Sequence, residues 1–159
     1  MTMNDETQDL QQLPIPGPEH RLLEIFVGKW NTEGEIKATS SSPATRLIAV
    51  DTYEWLPGGF FLIHKVDGHM GNEVVKTTEV IGYDSSKKTY FTRSFDNKGN
   101  AGAYLANLQN RFWTINGELE RFRGEFSSDG NTLKGKWELL SDGSNWQPWM
   151  DIKLTKEKL

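Results

Sequence analysis

The chain has 159 residues, enough for one domain with a buried core. Its 18 basic and 22 acidic side chains give a net charge of -4, and no Lys/Arg-rich run is present, which argues against a nucleic-acid surface. The absence of cysteine excludes disulfides, thiolate metal sites and cysteine nucleophiles. We see no signal peptide in the polar segment 1–13 and no apolar run near the roughly 20 residues that cross a bilayer. We therefore expect a cytoplasmic protein without a membrane span.

The first predicted elements are a short helix and a strand, which meet at Gly28-Lys29-Trp30. Between Pro18 and Val27 apolar residues recur at helical spacing, with proline at the start and glycine just past the end. After Gly28 the period becomes two, and this predicts a strand with one face in water. The inward face of that strand is predicted to carry Trp30, Thr32, Gly34 and Ile36.

The rest of the chain is predicted to form strands separated by Gly, Asn, Asp, Ser and Pro turns, about ten in all. The third runs from Phe60 to Val66 and is followed by a turn from Asp67 to Asn72. Pairing the last strand with the first would hide both edges and enclose a volume. We predict an all-β, antiparallel up-and-down meander closed into a barrel, with an open sandwich as the alternative. The helix would plug one end through Leu22, Leu23, Phe26 and Val27.

The predicted organisation is a disordered tail at residues 1–13 and one barrel domain at residues 14–159. Several segments of that domain resemble those of a known family. They are Pro18-Glu19-His20-x-Leu22-Leu23 with Val27-Gly28-Lys29-Trp30, the stretch from Tyr53 to Gly68, Ile81-Gly82-Tyr83-Asp84, Phe95-Asp96-Asn97-x-Gly99, and Asp129-Gly130-Asn131-Thr132-Leu133-x-Gly135-x-Trp137-Glu138 with Asp142-Gly143-x-x-Trp146. Over roughly residues 14 to 156 the chain resembles the bacterial family called domain of unknown function 1579, one of the lipocalin-like (calycin) barrels. The resemblance implies that fold and a small-molecule cavity, and it implies no catalytic residue.

His64 is the first candidate site residue. Alternation on the third strand places Phe60, Leu62 and His64 on the face opposite Lys65 and Asp67, which points the imidazole into the barrel. An inward histidine could bind a ligand carboxylate, act as a general base or ligate haem. The alternative is a histidine hydrogen-bonded inside the barrel to a neighbouring Glu or Tyr.

Two further candidates are an arginine and a tryptophan. Arg93 shares a strand face with Phe91 and Phe95, so we expect it inside, facing an anionic ligand or a structural partner such as Glu54 or Glu79. Trp137 alternates with charged neighbours and is predicted to face inward, as core or as a ligand wall. The predicted ligand-binding set is listed here: Trp30, Phe60, Leu62, His64, Arg93 and Trp137.

These residues favour a binding protein over an enzyme. The predicted partner is a small, largely apolar or amphiphilic ligand, whose head group could be acidic. The alternative is an enzyme that uses His64 and a nearby carboxylate for acid–base chemistry. A nitrobindin-like haem protein is a third hypothesis, less favoured because no histidine follows His69. A fourth hypothesis is a barrel filled by its own side chains that forms a homodimer through a sheet edge. We predict no cofactor, no metal and no assigned catalytic residue.

Overall fold

A computed structural model describes residues 13–158, so the predicted tail lies outside the described residues except for Leu13. The helical elements are α1 (Pro18–Leu22) and a 3₁₀ helix (Leu23–Phe26). Ten strands follow: β1 (Gly28–Ile36), β2 (Thr45–Trp55), β3 (Leu62–Met70), β4 (Glu73–Asp84), β5 (Thr89–Asp96), β6 (Ala101–Gln109), β7 (Phe112–Asn116), β8 (Glu120–Phe126), β9 (Thr132–Ser141) and β10 (Asn145–Lys156). Each strand pairs antiparallel with the next along the chain.

The sheet closes on itself because β1 also pairs with β10. The pairs at this seam run from Trp30 opposite Lys156 to Ile36 opposite Met150. The predicted closed barrel with a short N-terminal helix is confirmed, and the open sandwich is wrong. Closure pairs both outer strands of the meander, so the described sheet has no free edge.

Alternation along each strand determines which side chains point into the barrel. In β1, Trp30, Thr32, Gly34 and Ile36 are buried while the residues between them are exposed, as predicted. In β8, Phe122, Gly124 and Phe126 are buried, whereas Arg123 and Glu125 lie in water. A period of two with one wet face is what a closed antiparallel sheet requires.

The helical segment Pro18–Phe26, called the plug below, covers one end of the barrel. Leu23 and Phe26 are buried in the core, whereas Leu22 is 56% exposed and Val27 is half-buried. The predicted apolar face is therefore wrong at Leu22. The cause is the 3₁₀ turn, which has three residues per turn and so aligns Leu23 with Phe26 while rotating Leu22 outward.

The third strand differs from its prediction at both ends. Gly58 and Gly59 have left-handed φ values of 108° and 77°, and the Leu56 N–H donates to the Phe61 carbonyl, so the loop extends to Phe61. At the other end the predicted turn is strand as far as Met70. Gly68 is buried there against β2, where a Cβ would overlap the Ile48 carbonyl oxygen. This glycine serves close packing between strands and not a turn.

The last strand contains a bulge. Its register with β9 shifts between Pro148 and Met150. Proline has no N–H for the ladder, so a bulge accommodates it. The shift leaves Trp149 on the cavity wall, while the Trp146 ring lies against the Arg121 guanidinium, 4.3 Å from the ring centroid.

Candidate functional site

The interior of the barrel contains a cavity of about 260 Å³. Inward side chains of all the strands line it, and its two sides differ in chemistry. Hydrogen-bonding side chains from β2 to β6 and β8 form what we call the polar wall: Asp51, His64, Glu79, Ser94, Tyr104 and Glu120. A larger depression of about 840 Å³ lies on the outer face and is lined mainly by exposed charged side chains.

At the centre of the polar wall His64 bridges two carboxylates. Its Nε2 lies 2.6 Å from Asp51 Oδ2 and its Nδ1 lies 2.8 Å from Glu79 Oε1. The Thr32 hydroxyl donates to the other oxygen of Asp51 at 2.6 Å. Sheet register produces this arrangement, because His64 is paired directly with Glu79 on β4 and with Tyr53 on β2, two residues from Asp51.

The two carboxylates hold the imidazole in its protonated form. Burial by itself lowers the pKa of His64, but the hydrogen bonds to Asp51 and Glu79, with their charges, outweigh it and raise the pKa to about 9. The side chains of these three residues are only 13%, 5% and 13% exposed. At neutral pH both ring nitrogens therefore donate, and neither is free to accept a proton.

Tyr53 completes this side of the cavity. Its ring stacks on the His64 ring at a centroid distance of 3.9 Å and an interplanar angle of 6°. Burial raises the pKa of the Tyr53 hydroxyl well above its ordinary value, and the negative charges of Asp51 and Glu79 raise it further. The phenol therefore stays neutral at physiological pH and keeps a donating hydrogen.

A second acidic centre lies further along the polar wall. The Tyr104 hydroxyl donates a hydrogen bond to Glu120 Oε1. Burial, followed by this hydrogen bond, raises the pKa of Tyr104 to about 12. The ring has room because Gly102 and Gly117 lack side chains, and a Cβ at either position would overlap it.

The opposite side of the cavity is apolar and rich in rings. The Phe122 ring packs against Trp137 at a centroid distance of 5.1 Å. It lies over Gly124 and Gly135, where a Cβ would overlap it, so both glycines leave room for the ring. Toward the plug, the Phe26 ring meets the cavity-lining Trp113 ring edge-on at a centroid distance of 5.0 Å.

The structure places four of the six predicted site residues inside the barrel, two of them on the cavity. His64 and Trp137 line the cavity. Trp30 and Leu62 are fully buried in the core near the plug, and Trp30 Nε1 donates to the Phe26 carbonyl at 2.8 Å. Trp30 and Leu62 thus belong to the core at the plug end of the barrel and do not line the cavity.

The inward placement of Arg93 is wrong. Its guanidinium lies on the outer face of the barrel, 5.3 Å from the Phe91 ring centroid, and donates to the Thr92 carbonyl. The inward face of β5 carries Tyr90, Thr92 and Ser94, whose side chains all have hydroxyl groups. The aromatic residues beside Arg93 suggested a core face, but Phe95 is itself exposed on the outside.

The prediction that Phe60 faces the cavity is also wrong. It lies in the loop before β3, where its ring meets the His20 ring edge-on at 5.4 Å, and it does not line the cavity. The two preceding glycines lengthen the loop and detach Phe60 from the strand's alternation. The face assignment of Leu62 and His64 is unaffected, because both lie within β3.

Sequence reasoning missed most of the polar wall. Glu79, predicted with Glu54 as a partner for Arg93, instead makes a hydrogen bond with His64, and Glu54 is exposed. Asp51, Ser94, Tyr104 and Glu120 are absent from the predicted site. Asp51 carried a usable signal, since it follows Leu47 and Ala49 on the inward face of β2.

Within residues 13–158 no group of His, Asp and Glu side chains is arranged to hold a metal ion. In that same part of the chain, none of the helices has the length and apolar character needed to cross a membrane. His20 lies outside the cavity, with its Nδ1 accepting the Gly17 N–H at 3.0 Å, and His69 is exposed.

Fold and site together define a closed ten-stranded antiparallel barrel with a mixed polar and aromatic interior cavity. The chain belongs to the family described as "Protein of unknown function (DUF1579)", whose model matches residues 15–156. No curated protein matches the sequence. Among solved structures, the chain is similar to "Crystal Structure of Rv2717c from M. tuberculosis", with a TM-score of 0.66, 10% identity, and coverage of 89% of this chain and 99% of that one. At that identity the likeness supports the fold alone.

Proposed function

We propose that this protein binds a small, largely apolar ligand inside its barrel, in the manner of a lipocalin-like binding protein. The observation that carries the proposal is the cavity of about 260 Å³ between the ring-rich wall and the polar wall. Ligand sites combine mostly apolar linings with a few placed polar groups, and typical volumes are about 300–1,000 Å³. The size of this cavity therefore suits a small ligand.

The second candidate, an acid–base enzyme centred on His64, has less support. A general base must accept a proton, but both ring nitrogens of His64 are engaged by carboxylates and its pKa is raised to about 9. The alternative expectation, a histidine hydrogen-bonded inside the barrel, describes this geometry better. We therefore propose that His64 organises the polar wall.

Haem binding is the least supported of the three hypotheses. An axial histidine needs a free nitrogen facing the iron. Among the described residues, His64 is the histidine that lines the cavity, and each of its ring nitrogens is hydrogen-bonded to a carboxylate. His64 therefore does not fit the role of an axial haem ligand. The cytoplasmic location and the homodimer stay predictions. Because β1 pairs with β10, the described sheet offers no free edge through which a homodimer could form.

Native mass spectrometry of the purified protein, with extraction and identification of bound small molecules, tests the proposal. Val66→Phe would place a ring in the cavity, and Lys65→Phe would place the same ring on the exposed outer face of the same strand. We expect a bound small molecule in wild type and in Lys65→Phe, with occupancy reduced several-fold in Val66→Phe.

Equal occupancy in both variants would contradict binding inside the barrel. If the wild type carries no ligand, it is titrated with a panel of small apolar molecules. Binding is then monitored by the fluorescence of the cavity tryptophans. No mass shift and no fluorescence change with any member of the panel would contradict the proposed function.

A further inference from the structure

The charges that face the cavity are mostly negative. Its lining includes three carboxyl groups, those of Asp51, Glu79 and Glu120, against the single imidazolium of His64. No lysine or arginine lines it among the described residues, because Arg93 lies outside. Charged groups in a cavity screened from water interact more strongly than they would in solution. The interior therefore favours a positive charge.

Two of these carboxyl groups keep an acceptor available. Asp51 uses one oxygen for His64 and the other for Thr32. Glu79 and Glu120 each use Oε1, for His64 and Tyr104 respectively, and their second oxygens have no hydrogen-bond partner among the described residues. An N–H donor on a ligand could reach acceptors that the protein leaves open.

Two polar groups on the cavity wall also have no hydrogen-bond partner in the described chain. Tyr53 is 6% exposed and Trp113 is 3% exposed, and neither the phenol hydroxyl nor the indole N–H makes a hydrogen bond to a described residue. Both groups lie on the cavity wall and are open to a bound molecule, since among the described residues the buried side-chain polar atom without a partner is Thr92 Oγ1. This observation is independent of the carboxyl groups, and it indicates that the cavity receives a polar group as well as a hydrocarbon.

The rings around the cavity also suit a cation. A positively charged nitrogen is attracted to the faces of Trp, Tyr and Phe rings within about 6 Å of the centroid. Six aromatic side chains line the cavity: Tyr53, Tyr104, Trp113, Phe122, Trp137 and Trp149. Carboxylates beside aromatic faces form a site for an ammonium group.

We propose that the ligand is a small primary or secondary amine with an apolar body, bound as an ammonium ion whose N–H groups donate to Glu79 and Glu120 while its body packs on the ring-rich wall. This inference rests on the proposed function and names its ligand class. It replaces the acidic head group expected from the sequence, because a ligand carboxylate would meet three protein carboxylates. It also explains why the polar wall has more acidic groups than His64 alone can balance.

The test uses three probes that share one apolar body: 2-phenylethylamine, 2-phenylethanol and phenylacetate. Their affinities at pH 7 are measured by isothermal titration calorimetry with the wild-type full chain. The same titrations are made with Glu120→Gln, which keeps the side-chain shape and an acceptor for Tyr104. Glu138→Gln is the matched control, because Glu138 pairs with Arg121 on the outer face. Circular dichroism confirms that each variant is folded.

We expect the amine to bind at least tenfold more tightly than the alcohol, and phenylacetate more weakly still. Glu120→Gln should weaken amine binding about tenfold and leave alcohol binding unchanged, while Glu138→Gln changes neither. Alcohol or acid binding as tight as the amine overturns the ammonium assignment and leaves the proposed function standing. Failure of all three probes also overturns the assignment, and the mass-spectrometric experiment then decides the proposed function separately.

Discussion

At the scale of single residues, the protonation of His64 is linked to folding. Its pKa in the folded protein, about 9, lies above the ordinary value of 6.5 because two buried carboxylates accept its N–H groups. A group whose folded pKa is raised binds its proton more tightly in the folded state. Its contribution to stability is therefore complete below about pH 6.5 and is lost as the pH rises through about 9.

We expect the free energy of unfolding to fall between about pH 6.5 and pH 9, by at most about 3 kcal/mol from this residue. Urea unfolding at pH 6, 7.5 and 9 measures the change. An NMR titration of the imidazole in the wild type reports the pKa directly, without a variant that would leave two carboxylates unpaired. His69→Gln is the control, because His69 is exposed and should leave the profile unchanged. An imidazole that titrates near 6.5 would contradict the bridged geometry.

At the scale of elements, the plug stabilises the barrel through Phe26. Its ring contacts Tyr53, Trp113 and Phe126 at centroid distances of 5.1, 5.0 and 5.0 Å. Its carbonyl accepts the indole N–H of Trp30, which joins the plug to the first strand. A nine-residue helical segment could not be stable in isolation, so its structure depends on this packing.

Phe26→Ala should lower the free energy of unfolding by about 3–5 kcal/mol, the usual cost of removing a buried phenylalanine. Leu22→Ala on the same segment should change it by less than about 0.5 kcal/mol, because Leu22 is exposed. Thermal or urea denaturation of the two variants makes the comparison. Similar losses for both would show that the 3₁₀ turn does not orient the plug as described.

At the scale of the whole molecule, the barrel is continuous across its seam. β1 pairs with β10 over seven residue pairs, from Trp30–Lys156 to Ile36–Met150, so the first and last strands have neighbours on both sides. The amide hydrogens of an edge strand exchange readily, whereas those paired on both sides are protected until the structure opens.

Peptides from β1 and β10 should therefore exchange amide hydrogen as slowly as peptides from β4 and β5 in a mass-spectrometric hydrogen–deuterium experiment. Faster exchange is expected only around Pro148, where the ladder is interrupted by the bulge. The exposed loop at residues 38–44 supplies the fast reference. Exchange in β1 as rapid as in that loop would mean that the barrel opens at its seam in solution.

The sequence by itself determined the architecture. Period-two alternation and turn residues at regular spacing predicted the strands, and the need to cover two sheet edges predicted closure. Alternation also predicted that His64 and Trp137 face inward, because a strand has only two faces and one of them was marked by charges. These properties depend on residues close together in the chain.

Which groups surround His64 depends on the tertiary structure. Asp51 and Glu79 flank His64 because β2 and β4 pair on either side of β3, and pairing register is not visible within one strand. Aromatic neighbours give the outer side of β5 the pattern of a core face, and only the closed sheet shows that Arg93 lies outside. Alternation predicts Phe60 inside, and only the structure shows that the loop before β3 extends to Phe61. Contacts between residues distant in sequence therefore decided the chemistry of the cavity.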